Sequence, residues 1–288
     1  MFRPLLAAAA AAALLLGASA ALAQTLTFSA IPDEDETKLV QRFTKVADYL
    51  SKTLGVPVKY VPVKSYGAAV TAFKNNQIQL GWFGGLSGVQ ARRAVPGSQA
   101  LAQGEEDKAF VSYFIANAAT GLPANAKDLP KAVAGKTFTF GAKTSTSGRL
   151  MPEFYIRKEL GKGPEEVFSR VGFSGDHTKT VELVASGAYE VGAVNFSSFD
   201  DMVAKKQVDP AVVRIVWKTP PYPDYNWTIR GDADKTFGAG FTDKVRAALL
   251  GMSDPELLAS FPRNKFIPAT NADYEPIVAV GQQLGLLD

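Results

Sequence analysis

Lys143-Thr144-Ser145-Thr146-Ser147-Gly148 sets four hydroxyl residues in a row between Lys143 and Arg149. Residues of this type and spacing are suited to gripping a small oxyanion. Their hydroxyls donate hydrogen bonds, and a glycine lets a ligand approach the backbone N–H groups closely. The preceding run, Thr137-Phe138-Thr139-Phe140-Gly141, alternates β-branched and aromatic residues as a strand does, and Arg149 to Leu160 carries apolar residues at helical spacing. The cluster therefore falls at a helix N-terminus, where the first N–H groups lack intrahelical acceptors and the macrodipole places about half a positive charge. An anion is held there without a metal. The plainer reading is an N-cap, for which one hydroxyl suffices; four, flanked by two cations, favour the anion site.

The elements that must position this cluster follow from the rest of the chain. Short apolar strands alternate with helical patterns over Leu26 to Ile31, Glu36 to Leu54, Val56 to Val63, Tyr66 to Asn75 and Ile78 to Phe83, which is the βαβ signature. Ser87 to Val95 reads as helix, and Phe110 to Asn117 as a strand long enough to leave the first lobe. Thr120 to Lys136, rich in Gly, Pro and Ala without a period, reads as a lobe junction. A second α/β series follows, with strands at Phe138, Val167 to Phe173 and Val191 to Phe196, and helices over Arg149 to Leu160 and Thr178 to Ser186. Val212 to Lys218 then enters Thr219-Pro220-Pro221-Tyr222-Pro223, a rigid crossover, and Trp227 to Arg230 with helices over Thr242 to Met252 and Pro255 to Phe261 completes the first lobe. The expected boundaries are residues 24–116 plus 223–288 for lobe 1 and residues 117–222 for lobe 2, with a cleft between them where helix N-termini and strand ends converge.

Residues 1–23 open with Arg3, continue as an Ala/Leu run and end Ala21-Leu22-Ala23 before Gln24, the pattern of a secretory signal cleaved after Ala23. The apolar run is shorter than the roughly 20 residues that span a bilayer. An exported, periplasmic chain is expected. With no cysteine there is no disulfide and no thiolate nucleophile, and a net charge of +3 with scattered Lys and Arg excludes a nucleic-acid binder. A single histidine and no cysteine argue against a metal site, and the acids from Asp33 to Glu36 complement a helix start. Catalysis is not expected either. Gly85-Leu86-Ser87-Gly88-Val89 is not the nucleophile elbow, and adjacent Asp176 and His177 are poorly placed to act as orienter and base. No Walker A or dinucleotide fingerprint occurs, so no cofactor is expected and energy coupling belongs to a partner.

Several stretches, in order, carry a resemblance: Ser65-Tyr66-Gly67-Ala68, Gly81-Trp82-Phe83-Gly84-Gly85-Leu86-Ser87, Ser145-Thr146-Ser147-Gly148, Gly175-Asp176-His177, Val191 to Asn195, and Val216-Trp217-Lys218-Thr219-Pro220. The chain resembles the periplasmic substrate-binding proteins of phosphonate and phosphite ABC importers. The resemblance implies a type II Venus-flytrap of two α/β lobes joined by two hinge strands, acting as a monomer with a membrane permease and an ATPase. It places the anion grip on Ser145, Thr146 and Ser147, completed by His177 and Tyr66. A family tyrosine falls on Phe110, and the positions of two family carboxylates that hold a ligand ammonium fall on Ser197 and on Tyr225 or Asp224. The expected ligand-binding set is thus Tyr66, Phe110, Ser145, Thr146, Ser147, His177, Asn195 and Tyr225, and the missing carboxylates point away from an aminoalkylphosphonate. Gly84-Gly85-Leu86-Ser87-Gly88-Val89-Gln90 and Gly104-Glu105-Glu106-Asp107 look closest to a selenate-importer branch, which leaves selenate, sulfate, phosphite and phosphonate as ligands to distinguish. A fully ionised anion calls for donors and no carboxylate, whereas a protonated one accepts an acidic neighbour. Asp33, Asp35, Asp176 and Asp224 are the acids in range. A sensory module presenting its closed form to a membrane receptor is the alternative role.

Overall fold

The computed structural model describes residues 24–287; the expected leader and its cleavage after Ala23 lie outside them. The chain opens with β1 (Leu26–Ala30), α1 (Glu36–Leu54), β2 (Val58–Tyr60), α2 (Tyr66–Lys74), β3 (Leu80–Phe83), α3 (Gly85–Ala94) and β4 (Gln99–Gly104). Helix α1 shows why these residues form these elements. Asp35 caps its start by accepting from Thr37 N and Lys38 N, Gly55 ends it in the left-handed region at φ 70°, and Leu39, Phe43, Val46, Ala47 and Leu50 bury one face.

The second sheet takes β5 (Ser112–Asn117), β6 (Thr137–Phe140), β7 (Arg170–Phe173), β8 (Val191–Asn195) and β9 (Val213–Lys218), with helices α4 (Met151–Leu160), α5 (Pro164–Val167), α6 (His177–Ala185) and α7 (Phe196–Ala204). The chain then returns through β10 (Asn226–Ile229), α8 (Ala233–Phe237), α9 (Phe241–Leu250), α10 (Pro255–Leu258), β11 (Phe266–Pro268) and α11 (Glu275–Gln283). The first sheet has the order β11-β4-β10-β3-β1-β2 and the second β7-β6-β8-β5-β9. The first sheet ends in β11, antiparallel to β4, and each sheet sets one antiparallel strand between two strands of the common direction: β10 between β3 and β4, and β5 between β8 and β9. These are the strands by which the chain crosses between lobes. Just outside them Phe110 and Tyr222 form an isolated antiparallel bridge, their backbones exchanging two hydrogen bonds of 2.9 Å.

Two sequence expectations need correction. β5 pairs along its whole length with β8 and β9, so it belongs to the second sheet, and the crossing falls near Phe110 rather than after residue 116. The stretch Thr120 to Lys136 is not a junction. Asn125 N and Ala126 N donate to Ile215 O and Val216 O at 2.8 Å, and Leu122, Leu129 and Val133 are buried, so an aperiodic loop is anchored onto β9 by three apolar side chains.

A candidate anion site between the lobes

The hydroxyl run opens a single π-type turn, Thr146–Leu150, between β6 and α4. Ser145 is its N-cap, with Oγ accepting from Gly148 N at 2.9 Å, while Gly141 N donates to Gly148 O at 2.8 Å. Gly148 is tightly enclosed: a Cβ there would lie 3.0 Å from Ser145 Oγ, 3.1 Å from His177 Cε1 and 3.2 Å from Gly141 Cα, so these neighbours would have to shift. Ser145, Thr146 and Ser147 are buried, and Ser112 on β5 supports the turn by donating from Oγ to Ser147 O at 2.7 Å. Ser112 Oγ also shares a 2.5 Å hydrogen bond with Tyr222 Oη, so the turn is tied to the hinge.

A second helix start meets this turn from the first lobe. At the N-terminus of α3, Leu86 N donates to Thr146 Oγ1 at 2.9 Å and Gly85 N to Asp224 Oδ1 at 2.8 Å. Leu86 N–H fills an acceptor position on Thr146, so the threonine's own proton points elsewhere, and the Asp224 carboxyl is the group it lies against. Gly84 and Gly85 allow this approach, since a Cβ on either would sit 3.3 Å from Thr146 Oγ1.

His177 is the first residue of α6, whose cap is Asp176, accepting from Lys179 N at 2.7 Å. Its backbone N–H reaches across to Asp33 O at 3.1 Å. Its ring is fully buried, and burial pushes its pKa down to about 3, so the imidazole is neutral at ordinary pH. Nδ1 accepts from Asn195 N at 3.3 Å, which assigns the proton to Nε2, and Nε2 has no partner. Tyr66 opens α2 behind the Ser65 cap; it too is buried, its hydroxyl lies beside Ser145 with Asp33 and Asp224 nearby, and no atom meets it in good hydrogen-bond geometry. Asp224 Oδ2 is a third unpartnered atom of this region, and burial raises this carboxyl to about 7 against the lowering effect of the Gly85 amide and the Thr146 and Ser147 hydroxyls. Buried polar atoms are nearly always paired. Three orphans on facing elements, two of them donors beside a hydroxyl turn, mark the place an anion would occupy.

The remaining residues fall around this point. Asn195 Nδ2 donates to Tyr225 Oη at 3.0 Å, and Tyr225 Oη donates to Asp33 Oδ2 at 2.9 Å, a chain that joins the two lobes. Asn195 Oδ1 also accepts from Ser198 N at 2.6 Å. Asparagine and tyrosine thus spend these polar atoms on the protein. Phe110 sits at the hinge bridge, its ring 4.8 Å from Phe196 and 5.5 Å from Tyr225. Of the four acids in range, Asp35 and Asp176 are helix caps, whereas Asp33 and Asp224 face the cleft. Burial and the neighbouring Glu34 raise Asp33 above the usual carboxylate range. Carboxyls do stand beside these positions: Asp224 precedes Tyr225, and Asp33 accepts from the Tyr225 hydroxyl. The backbone amides of Gly85 and Leu86, Ser112 and Tyr222 were missed as parts of the site. The Gly84-Gly85 pair directly after an apolar strand was the available signal for the amides, while Ser112 became visible only once β5 was placed in the second sheet.

Two α/β lobes with exchanged strands, a bridged hinge and a polar spot enclosed between them define a type II solute-binding protein. The family model described as "ABC transporter, phosphonate, periplasmic substrate-binding protein" matches residues 28–274, and the chain belongs to that family. It is therefore a carrier rather than an enzyme. It is 38% identical over 268 residues to the probable ABC transporter phosphite binding protein PhnD1 of Prochlorococcus marinus, covering 91% of this chain and 90% of that one. The structure of PhnD1 from that organism in complex with methylphosphonate superposes with a TM-score of 0.86 at 37% identity, over 91% of this chain and 98% of the other. A binding protein component of an ABC phosphonate transporter from Pseudomonas aeruginosa shares the fold, with a TM-score of 0.76 at 20% identity over 90% and 85% of the two chains. Among the described residues no helix is long and apolar enough to cross a membrane.

Proposed function

We propose that this chain captures phosphite or methylphosphonate, acting as a monomer with its leader removed after Ala23, and hands it to a membrane permease driven by an ATPase. Ser145, Thr146, Ser147, Tyr66 and His177 Nε2–H donate to the anion's oxygens, and the amides at the start of α3 supply positive potential from the other lobe. Contacts to both lobes favour the closed population, so binding and closure are one equilibrium.

The observation that carries this reading is the unpartnered Asp224 Oδ2 within the ring of donors. An ionised carboxylate there faces an anion oxygen lone pair to lone pair unless one proton lies between them. Phosphite and alkylphosphonates bring such a proton themselves, because their second proton leaves near neutral pH. Sulfate and selenate cannot. They require Asp224 to be protonated, which becomes costly above its pKa of about 7. The named relatives, a phosphite binder and a methylphosphonate complex, agree with that choice. The selenate ligand suggested by the sequence is accordingly set aside.

The test is calorimetric titration with phosphite, methylphosphonate, phosphate, sulfate and selenate at pH 6, 7 and 8, on wild type and Asp224→Asn. Wild type is expected to prefer phosphite or methylphosphonate, and any sulfate or selenate binding to weaken up to about tenfold per pH unit above 7. In Asp224→Asn, whose amide donates, the preference against sulfate and selenate should shrink. Tight, pH-independent selenate binding by wild type would refute the assignment.

A further inference from the structure

Helix α3 meets Thr146 and Asp224 with its first turn and carries Arg92 in its last. The Arg92 residue is 8% exposed, and its guanidinium lies over the Tyr274 ring at 4.8 Å. Nη1 donates to Thr228 Oγ1 at 2.7 Å and to Asn226 Oδ1 at 3.0 Å, whereas Nη2 has no acceptor. Burial draws the group down to about 10, so it is still charged at neutral pH. Two other arginines are buried to the same degree, and each has a carboxylate: Asp107 pairs with Arg263 and Asp232 with Arg230, both at 2.8 Å. Among the described residues no carboxylate pairs with Arg92. A buried charge is as a rule compensated, so this one lacks a counter-charge that the fold itself does not bring.

There is room for one. Arg92 lines a cavity of about 240 Å³ between α3 and α11, together with Val89, Arg93, Asn271, Glu275 and Val278. None of these residues belongs to the anion site between the lobes. Asn271 spends its amide inside the fold, with Oδ1 accepting from Ala100 N at 2.8 Å and Nδ2 donating to Ser98 O at 3.0 Å. Val89 and Val278 make part of the wall apolar, and Glu275 adds an exposed carboxylate. A planar guanidinium matches a carboxylate better than any other common anion except phosphate. Glu275 repels a second negative charge, which sets a dianionic phosphate at a disadvantage. The cavity is also smaller than the roughly 300–1,000 Å³ of sites for drug-sized ligands.

We propose that this cavity is a second ligand site, which takes a free monocarboxylate with a short apolar chain and holds it through Arg92 Nη2. The site does not depend on which anion is bound between the lobes.

The experiment titrates the mature chain and its Arg92→Gln, Glu275→Gln and Val278→Phe variants with acetate, propionate, butyrate and succinate, with chloride holding the ionic strength constant. Proton–nitrogen NMR follows the arginine side-chain N–H signals, those of Arg92 being identified by their loss in Arg92→Gln. Wild type should saturate with propionate or butyrate at a dissociation constant on the order of 1 mM, the scale open to so small a ligand. Arg92→Gln should weaken binding at least about tenfold, as the loss of a charged hydrogen bond does. Val278→Phe, which fills the cavity and leaves the bonds of Arg92 to Thr228 and Asn226 in place, should do the same. Glu275→Gln should tighten propionate severalfold and narrow the gap between propionate and succinate, because a like charge is gone. These last two variants decide the matter should Arg92→Gln fail to fold. No saturation of wild type at about a hundredfold excess over that constant, or equal affinity in wild type and Val278→Phe, would overturn the site. An unchanged gap in Glu275→Gln would overturn its selection for a single charge.

Discussion

At the residue scale the proposed site is a set of hydroxyls and an imidazole whose acceptor atoms are engaged by backbone N–H groups. Ser145 Oγ accepts from Gly148 N, Thr146 Oγ1 accepts from Leu86 N, and His177 Nδ1 accepts from Asn195 N, so the proton of each is turned away from these backbone donors. This arrangement fixes direction before the ligand arrives, which lowers the ordering cost of binding. Hydrogen bonds to a charged group contribute about 1.5–3 kcal/mol each. Ser145→Ala with Thr146→Ala should therefore weaken anion binding by at least about 100-fold in calorimetry, and an affinity within threefold of wild type would show that these hydroxyls serve only as caps. This part of the proposed site can be read from the sequence because its residues are contiguous and no plainer structural role needs all of them. Tyr66 and His177 were reached through family resemblance alone, since a tyrosine and a histidine at helix starts have ordinary structural uses. Asp224 to Gly85 and Tyr225 to Asp33 were beyond reach, being contacts across 139 and 192 residues that exist only once the returning chain joins the first sheet.

At the scale of elements, a helix start works as an anion site only if the backbone leaves room in front of it. Gly148 and Gly67 test this by contrast. A Cβ at Gly148 meets Ser145 Oγ, His177 Cε1 and the Gly141 backbone at 3.0–3.2 Å, whereas one at Gly67, in the first turn of α2, meets nothing within 4 Å. Gly148→Ala should cost about 1–3 kcal/mol of stability through overpacking and should weaken binding by displacing two donors. Gly67→Ala should raise the melting temperature, because alanine is favoured over glycine in a helix by up to about 1 kcal/mol. Thermal denaturation of the two variants reads both signs; a stabilised Gly148→Ala would mean that the turn has slack. The elements themselves were largely readable from periodicity. Most expected strands and helices stand close to their spans, but a π-type turn heads α4 where a helix was expected from Arg149, β7 begins at Arg170 rather than Val167, and β4 and α7 were not anticipated. What failed was allegiance: β5 looks like any apolar strand, and only its ladders with β8 and β9 reveal which sheet it completes. The Pro- and Gly-rich loop after it was mistaken for a junction because its anchoring residues, Leu122, Leu129 and Val133, follow no period.

At the scale of the whole molecule, closing the two lobes encloses charge as well as ligand, and that leaves a signature in pH. Burial raises Asp224 from its ordinary 3.8 to about 7, and it raises Asp33 as well. Between those values the closed, folded protein binds more protons than the unfolded chain. The stability contributed by the protonated carboxyls is fully present below pH 3.8 and lost as pH rises through about 7. His177 works in the opposite sense. Its pKa falls from 6.5 to about 3, so its contribution is complete above pH 6.5 and is lost as pH falls towards 3. Between pH 4 and 6.5 one histidine offsets one of two carboxyls, and above 6.5 the carboxyls act alone. The ligand-free protein should therefore melt several degrees lower at pH 8 than at pH 5.5. Asp224→Asn should narrow that gap, with most of the gain at pH 8, where the wild type must hold a buried carboxylate whose second oxygen lacks a partner. Scanning calorimetry of the two proteins at pH 5.5, 6.5, 7.5 and 8 in the absence of oxyanions measures this directly. Parallel curves for wild type and variant would mean that Asp224 is hydrated in the free protein, and hence that the lobes stand open until an anion brings them together.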